Sequence, residues 1–342
     1  MRFFVAQSFA VLSTFLILDD TKALSLENRN ANTRRDVFIH TAAAATGLVV
    51  PSLLLEQPQQ LAFAGEDASQ PIAILGASGR TGALCVTACL SRGVPVRALT
   101  RSGSWEPPLL VGDNNNEDVI NNKLLSVTAC DVKDPKALTQ GLQGCRGVIY
   151  AASASKKGGN AKEIDNEGVV QAGSVCLAEK IPRYVVISST ATTRPNSLGF
   201  KFTNVFGGIM DQKRLGEQGV QAAYNSNNKS SSSYTILRPG GLEEPKKNEV
   251  LGPSALEISQ GDALAGIVSR ADLAEVAVEL ALSTAPNLQN TAVELYYTDS
   301  AQPCERQFKS EMSNGKVPRL HGSTYEELFR DIQPDIDYYV PV

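Results

Sequence analysis

The chain of 342 residues contains two histidines, one tryptophan and three methionines, and its six cysteines lack the close paired spacing of a metal site. These shortages exclude a good deal of chemistry. His40 stands near the start, which leaves His321 as the only imidazole in the body of the chain. Histidine-centred catalysis and mixed histidine–cysteine zinc sites are therefore nearly excluded. The cysteines, at 85, 89, 130, 145, 176 and 304, mostly lie inside apolar segments and read as small core residues. Cys85 and Cys89 are four apart on a helical pattern, a poor geometry for a disulfide. There is no basic cluster either: 32 lysines and arginines stand against 36 acids, a formal net charge of −4. Such a chain is a poor partner for nucleic acid.

What the sequence has in quantity at its start reads as addressing rather than structure. Arg2 precedes an apolar run from Phe3 to Leu18, with small residues near Ala23 to Ser25, the pattern of a secretory signal peptide. Arg34 and Arg35 then precede a second apolar stretch, Val37 to Leu55, which ends in Ala62-Phe63-Ala64. Twin arginine, apolar core and Ala-x-Ala resemble a twin-arginine export signal. The two in series resemble the bipartite plastid presequences of algae, with the second part directed to the thylakoid lumen. The stroma and the secretory pathway are the alternative destinations, and a single membrane anchor is the competing reading of Val37 to Leu55. The expected division is a targeting segment over 1–64, one α/β domain over 65–298 and an extension over 299–342, with no membrane span after residue 64.

From Ile72 onward, strand and helix patterns alternate. Ile72 to Leu75 is an apolar strand that runs into Gly76, Gly79 and Gly82 at the mouth of a helical pattern (Ala83, Leu84, Val86, Leu90). Glycines at this spacing let the chain turn, let its backbone approach a pyrophosphate and let the helix pack close to the strand. The helix N-terminus adds a favourable field for phosphate. Gly76, Ser78, Gly79, Arg80, Thr81 and Gly82 are therefore candidate dinucleotide ligands. Further strands are expected at Val94–Thr100, Leu125–Ala129, Gly147–Ala152, Arg183–Ser188, Tyr234–Leu237 and Thr291–Tyr297, with helices near 161–180 and 208–223. The alternation implies a Rossmann-type doubly wound parallel sheet, with ligands beyond the carboxyl ends of its strands. That places Asp131, Val132, Ala151, Ala152, Ser153 and Ser188 beside the cofactor. Ser269 and Asp272 form a capping pattern ahead of an apolar helix.

An acid at the tip of the second strand would favour NAD, because a carboxylate there accepts from the ribose hydroxyls. The strand ends instead in Leu99-Thr100-Arg101, and Arg80 lies in the glycine loop. Two guanidinium groups suit a 2′-phosphate, so NADP is the expected cofactor. Asp131 can meet the adenine amino group or cap a turn.

The segments Gly76–Gly82, Val96–Arg101, Tyr184–Ser189, Thr235–Leu242 and Val268–Asp272 together resemble, in order and spacing, the atypical short-chain dehydrogenase/reductases of the NAD(P)H-binding, NmrA-like kind, including plant plastid members. The resemblance spans about residues 70 to 298. It implies a catalytic lysine at Lys213 and a hydroxyl that polarises a carbonyl at Thr190. The position of the family's proton-donating tyrosine is held by Ile209. Two functions follow from this departure. One is an NADPH-dependent reductase of a small carbonyl or alkene, with Tyr224, Tyr234 or water as donor. The other is an NADP(H)-binding sensor or scaffold for a protein partner in a photosynthetic membrane complex. Lys213 has a second reading as an exposed partner of Glu217, one helical turn away.

Overall fold

A computed structural model of the chain describes residues 69–108, 122–154, 159–205, 207–227, 230–243 and 249–334. The leader signals and most of the asparagine-rich connection after the second strand lie outside the described residues. The chain enters with β1 (Ile72–Leu75), followed by α1 (Arg80–Ser91), β2 (Val96–Thr100), β3 (Leu125–Ala129), α2 (Pro135–Leu142) and β4 (Gly147–Tyr150). A π-helical turn (Lys162–Gly168) leads into α3 (Val169–Ala178), then β5 (Arg183–Ile187), α4 (Leu198–Asn204), α5 (Ile209–Asn225) and β6 (Ser233–Pro239). Beyond it come β7 (Gly241–Glu243), β8 (Leu256–Ser259), β9 (Leu264–Ala265), β10 (Ile267–Ser269), α6 (Arg270–Leu282), β11 (Thr291–Tyr297), β12 (Gln302–Pro303), α7 (Phe308–Ser313) and α8 (Tyr325–Phe329).

The main sheet has the order β3-β2-β1-β4-β5-β6-β11-β8, parallel throughout except for β8, which runs antiparallel to β11. Both faces of its centre are buried, so β1 and β4 are apolar along their length rather than at alternate positions. In β1, Ile72 and Ile74 enter a core layer with α1 and α6, while Ala73 and Leu75 enter the opposite layer with α2, α3 and α5. Strand order reverses between β1 and β4, which opens a crevice at their carboxyl ends. This is the doubly wound Rossmann arrangement that the alternation of elements implies.

The structure revises several local expectations. The helix expected over 161–180 begins as a π-helical turn, where the Tyr150 hydroxyl donates to the Ile164 carbonyl at 2.6 Å. A side chain that takes up a carbonyl of the ladder in this way favours a bulge. The Ser269 hydroxyl accepts from Asp272 N at 3.0 Å, as the cap requires. The fully buried Asp272 carboxylate in turn accepts from the Ser269 hydroxyl at 2.9 Å, from the backbone N–H groups of Leu251 and Gly252 and from the Tyr297 hydroxyl. Residues after β12 line the β8 edge: Leu320 bridges Ile258, Arg319 pairs with Glu257, and Gln333 N donates to the Gln260 side chain. Leu328, Phe329 and Ile332 join the layer that holds α1 and α6.

Five cysteines are buried, and Cys304 is half-buried. Burial pushes the Cys89 thiol up to about 12 and those of Cys130 and Cys145 to about 11. A thiol held protonated reacts slowly. Alkylation of the native chain at pH 8, followed by mass spectrometry, is expected to leave Cys85, Cys89 and Cys176 unlabelled until the fold is opened with denaturant.

Candidate functional site

The glycine loop is built as a cradle in which added carbon would collide. Gly76 has φ +80°, and a Cβ there would lie 2.7 Å from both Cα and N of Ala152 at the end of β4. A Cβ on Gly82 would stand 2.2 Å from the Gly76 carbonyl oxygen, so the first turn of α1 can press against the strand only because that atom is missing. Gly79 caps α1 with extended backbone and no side-chain acceptor, and the first helical turn holds no acid. Ser78, Gly79 and Arg80, around this helix N-terminus, are exposed. Thr81 behind them is half-buried. These features fit an anionic pyrophosphate, which needs close backbone approach and N–H donors.

The chain's one tryptophan completes the cradle from beneath. Trp105 is 7 % exposed and its indole N–H donates to the Ala77 carbonyl at 3.0 Å, tying the connection after β2 to the glycine loop. Between them lies a groove of about 610 Å³ lined by Ser78, Gly79, Arg80, Ser102, Ser104 and Glu106 among others. Arg101 stands exposed at the end of β2, beside this groove's Ser102 wall. Asp131, after β3, takes the turn-capping option: Oδ1 accepts from Lys133 N at 3.0 Å, and Oδ2 lies 3.9 Å from the Lys133 ammonium. Val132 is buried against the π-helical turn, with a Cγ 3.2 Å from the Cβ that Gly168 lacks.

On the other side of β4, the exit segment Ala151–Ala154 meets α5 through one acid. Asp165, in the π-helical turn and 1 % exposed, accepts from Ser153 Oγ at 2.6 Å, from Ala154 N at 2.8 Å and from Lys213 Nζ at 2.9 Å. Lys213 is thus neither exposed nor paired with Glu217, which corrects that reading. Its side chain is 13 % exposed and crosses to Asp165. The close approach of the two segments explains the choice: a Cβ on Gly216 would fall 2.4 Å from the Asp165 carbonyl oxygen.

Glu217 instead turns inward. It is buried, accepts from the Ser188 hydroxyl, and pairs with Arg238 at 2.7 Å. Arg238 also reaches Glu294 at 3.1 Å. Burial pushes the Glu294 carboxyl up to about 8, against the pull of Arg238. Thr190 follows on the same loop, 8 % exposed, with its N–H on the Pro239 carbonyl at 3.0 Å. That loop is pinned by buried Asp262, which accepts from Ala191 N at 2.6 Å and from Thr193 N and Oγ1 at 2.8 Å. Arg194, at the end of the loop, lies 4.8 Å over the Phe308 ring of α7.

Ile209, at the first position of α5, has no proton to give. The alternative donors fail for a different reason. Tyr224 and Tyr234 are 2 % and 1 % exposed, and their rings pack edge to face at 5.2 Å. Tyr234 pairs with Tyr184 near the amino ends of β5 and β6, on the far side of the sheet from the strand exits. Burial also raises the Tyr224 phenol well above its ordinary range. Among the described residues, Ser153, Ser188, Ser189, Thr190 and Lys213 bring hydroxyls and an ammonium to the strand exits.

The residues around the site that sequence reasoning did not place there are Trp105, Asp165, Glu217, Arg238 and Asp262. Asp165 and Glu217 read as ordinary helix-surface charges in one dimension, and only the inward turn of their faces makes them partners. Arg238 lay in view, inside an otherwise apolar strand ending Leu237-Arg238-Pro239, where a buried cation demands an acid.

Glycine cradle, helix terminus and reversed strand order together define a dinucleotide-binding α/β protein of the Rossmann class. The family model described as NAD(P)H-binding matches residues 76–284, more than half of the chain, and the chain belongs to that family. A chloroplastic protein of Arabidopsis thaliana, itself uncharacterized, is 27 % identical over 225 residues, which covers 63 % of this chain and 72 % of the relative. The chloroplastic Protein TIC 62 of the same plant is 25 % identical over 184 residues, 50 % of this chain but 27 % of its own length. A short-chain dehydrogenase/reductase of Veillonella parvula solved with NADP shares the fold, with a TM-score of 0.50 at 16 % identity, over 68 % of this chain and 96 % of that one.

Proposed function

We propose that the chain is an NADP(H)-dependent oxidoreductase of the plastid that acts on a small carbonyl or alkene. The observation that carries the reading is the groove beside the glycine loop, where Arg80 lines the wall and the residue after β2 is Arg101 rather than an acid. NADP(H) laid over the strand exits would put its pyrophosphate on Gly76–Gly82 and its 2′-phosphate between the two guanidinium groups. Bound there, the nicotinamide would supply or accept the hydride, and water would supply or take up the proton that completes the transfer. The protein's own share is to hold the ribose through Lys213 and to polarise the substrate through Thr190. The plastid assignment draws on the chloroplastic relatives and on the twin-signal reading of the leader. Calorimetric titration tests the cofactor: NADPH is expected to bind at least tenfold more tightly than NADH, and Arg101→Ala to erase most of that preference. Loss of a charge-assisted phosphate contact costs about 1.5–3 kcal/mol, so a smaller effect than tenfold would refute the role given to Arg101.

A second reading, nucleotide binding without turnover for a partner in a photosynthetic membrane complex, is favoured by one observation. Ile209 removes the acid from its place four residues before Lys213, and the tyrosines that could replace it are sealed in the core. The readings separate in one assay. NADPH oxidation against a panel of aldehydes, ketones and enones, with Lys213→Ala at least tenfold slower, supports the enzyme; tight binding with no consumption across the panel supports the sensor.

A further inference from the structure

We propose that Asp165 is a positioning residue that fixes the ammonium of Lys213 at the β4 exit, so that the lysine meets the ribose of a bound dinucleotide already aimed. The proposal rests on the NADP(H) reading of the site. Three donors converge on this one carboxylate, from the β4 exit (Ser153 and Ala154) and from α5 (Lys213), at 2.6, 2.8 and 2.9 Å. The carboxylate side chain has no solvent exposure, so its charge must be met by these groups rather than by water. The backbone is shaped to bring it there. The π-helical turn carries Asp165 out of α-helical register, and missing Cβ atoms at Gly168 and Gly216 let the Tyr150 hydroxyl and α5 close on that turn.

The same contacts tie Lys213 to the dinucleotide cradle. Ala152, one residue before the Ser153–Ala154 pair that Asp165 holds, is the residue whose backbone closes over Gly76. One acid therefore sets the distance between the lysine and the segment that packs on the glycine loop. A lysine carries three donors and spends one on Asp165, which leaves the others for ribose hydroxyls. Held by a fixed acid, the long side chain loses little further freedom when the ligand arrives.

The experiment uses the full chain and calorimetric titration with NADPH, comparing wild type, Asp165→Asn, Lys213→Met and the double variant. Circular dichroism melts identify any variant that fails to fold. Lys213→Met leaves Asp165 its Ser153 and Ala154 bonds, and the double variant removes the buried charge together with its cation, so one of them provides the folded reference if Asp165→Asn does not. Each single change is expected to weaken NADPH roughly tenfold, as loss of a charge-assisted hydrogen bond does, and the double variant to bind no worse than Lys213→Met alone. A residue that merely supported the fold would give additive losses, and additive losses, or wild-type affinity in Asp165→Asn, would overturn the proposal. A readout without nucleotide separates this from the cofactor itself. Reductive methylation followed by mass spectrometry should modify Lys213 at least tenfold more slowly than exposed Lys201 in the wild type, and at a comparable rate in Asp165→Asn. Release of Lys213 with no NADPH binding by the wild type would refute the cofactor reading, whereas unchanged protection in Asp165→Asn would refute the positioning role.

Discussion

In Gly76→Ala, NADPH affinity is expected to fall by two orders of magnitude or more, and the chain to lose about 1–3 kcal/mol of stability, the cost of a left-handed backbone at a residue with a side chain. The φ of +80° supplies the strain, and the methyl group adds a collision at 2.7 Å with the Ala152 backbone, an obstacle with no flexible end to swing aside. Relief requires β1 and β4 to part at their exits, which opens the crevice that the dinucleotide spans. Gly79→Ala is the control. Its backbone has an ordinary φ of −76°, and the added carbon meets only the Gly76 oxygen, at 3.1 Å. That variant should melt within about 1 kcal/mol of the wild type yet bind NADPH at least tenfold more weakly, because the new methyl stands where the phosphate must approach. Thermal melts paired with calorimetry read both numbers. Equal affinities for Gly79→Ala and wild type would remove the pyrophosphate from this loop.

The other large effect falls beneath the site. Arg238→Met is expected to destabilise the chain by about 3–5 kcal/mol, because it strands the buried Glu217 carboxylate and takes a donor from buried Glu294. Glu294→Gln should cost little by comparison, since Arg238 keeps its hydrogen bonds from Nε and Nη2 to Glu217 Oε2. This pair of variants also carries a pH signature. Burial raises the folded-state pKa of Glu294 to about 8, above that of the same group in the unfolded chain. The folded state then binds the extra proton, so this residue's contribution falls as pH rises from about 4.5 towards 8. Denaturant melts at pH 5, 7 and 9 should show the wild type losing stability over that interval and Glu294→Gln losing less. A wild type with the same pH slope as Glu294→Gln would contradict the assignment.

Much of the fold was legible in the residues themselves. Uninterrupted apolar strands at Ile72, Val148 and Val185, each followed by a helical pattern, specify a parallel sheet covered on both faces, and the glycine spacing marks its ligand end. β8 was harder to read, because Leu256-Glu257-Ile258-Ser259 carries a charge at a fully buried position. That charge is tolerated because Arg319, from a segment sixty residues further on, arrives to meet it. The site was legible to the same degree. Its backbone cradle is local in sequence and could be seen, while the pairing of Lys213 with Asp165 depends on a π-helical turn that no periodicity announces. Proximity in sequence favoured Glu217 as the partner of Lys213. The helix face that holds Glu217 is the one that packs on β6, and Arg238 claims it.

The indole beneath the glycine loop also makes the protein report optically on its own ligand. With a single tryptophan in the sequence, every photon emitted by an indole originates at Trp105. Reduced nicotinamide absorbs where tryptophan emits, and the Trp105 connection borders the groove in which the nucleotide would rest. Occupancy could thus be followed without label or substrate, through quenching at the indole and sensitised emission from the dihydronicotinamide, with the oxidised cofactor silent in the second channel.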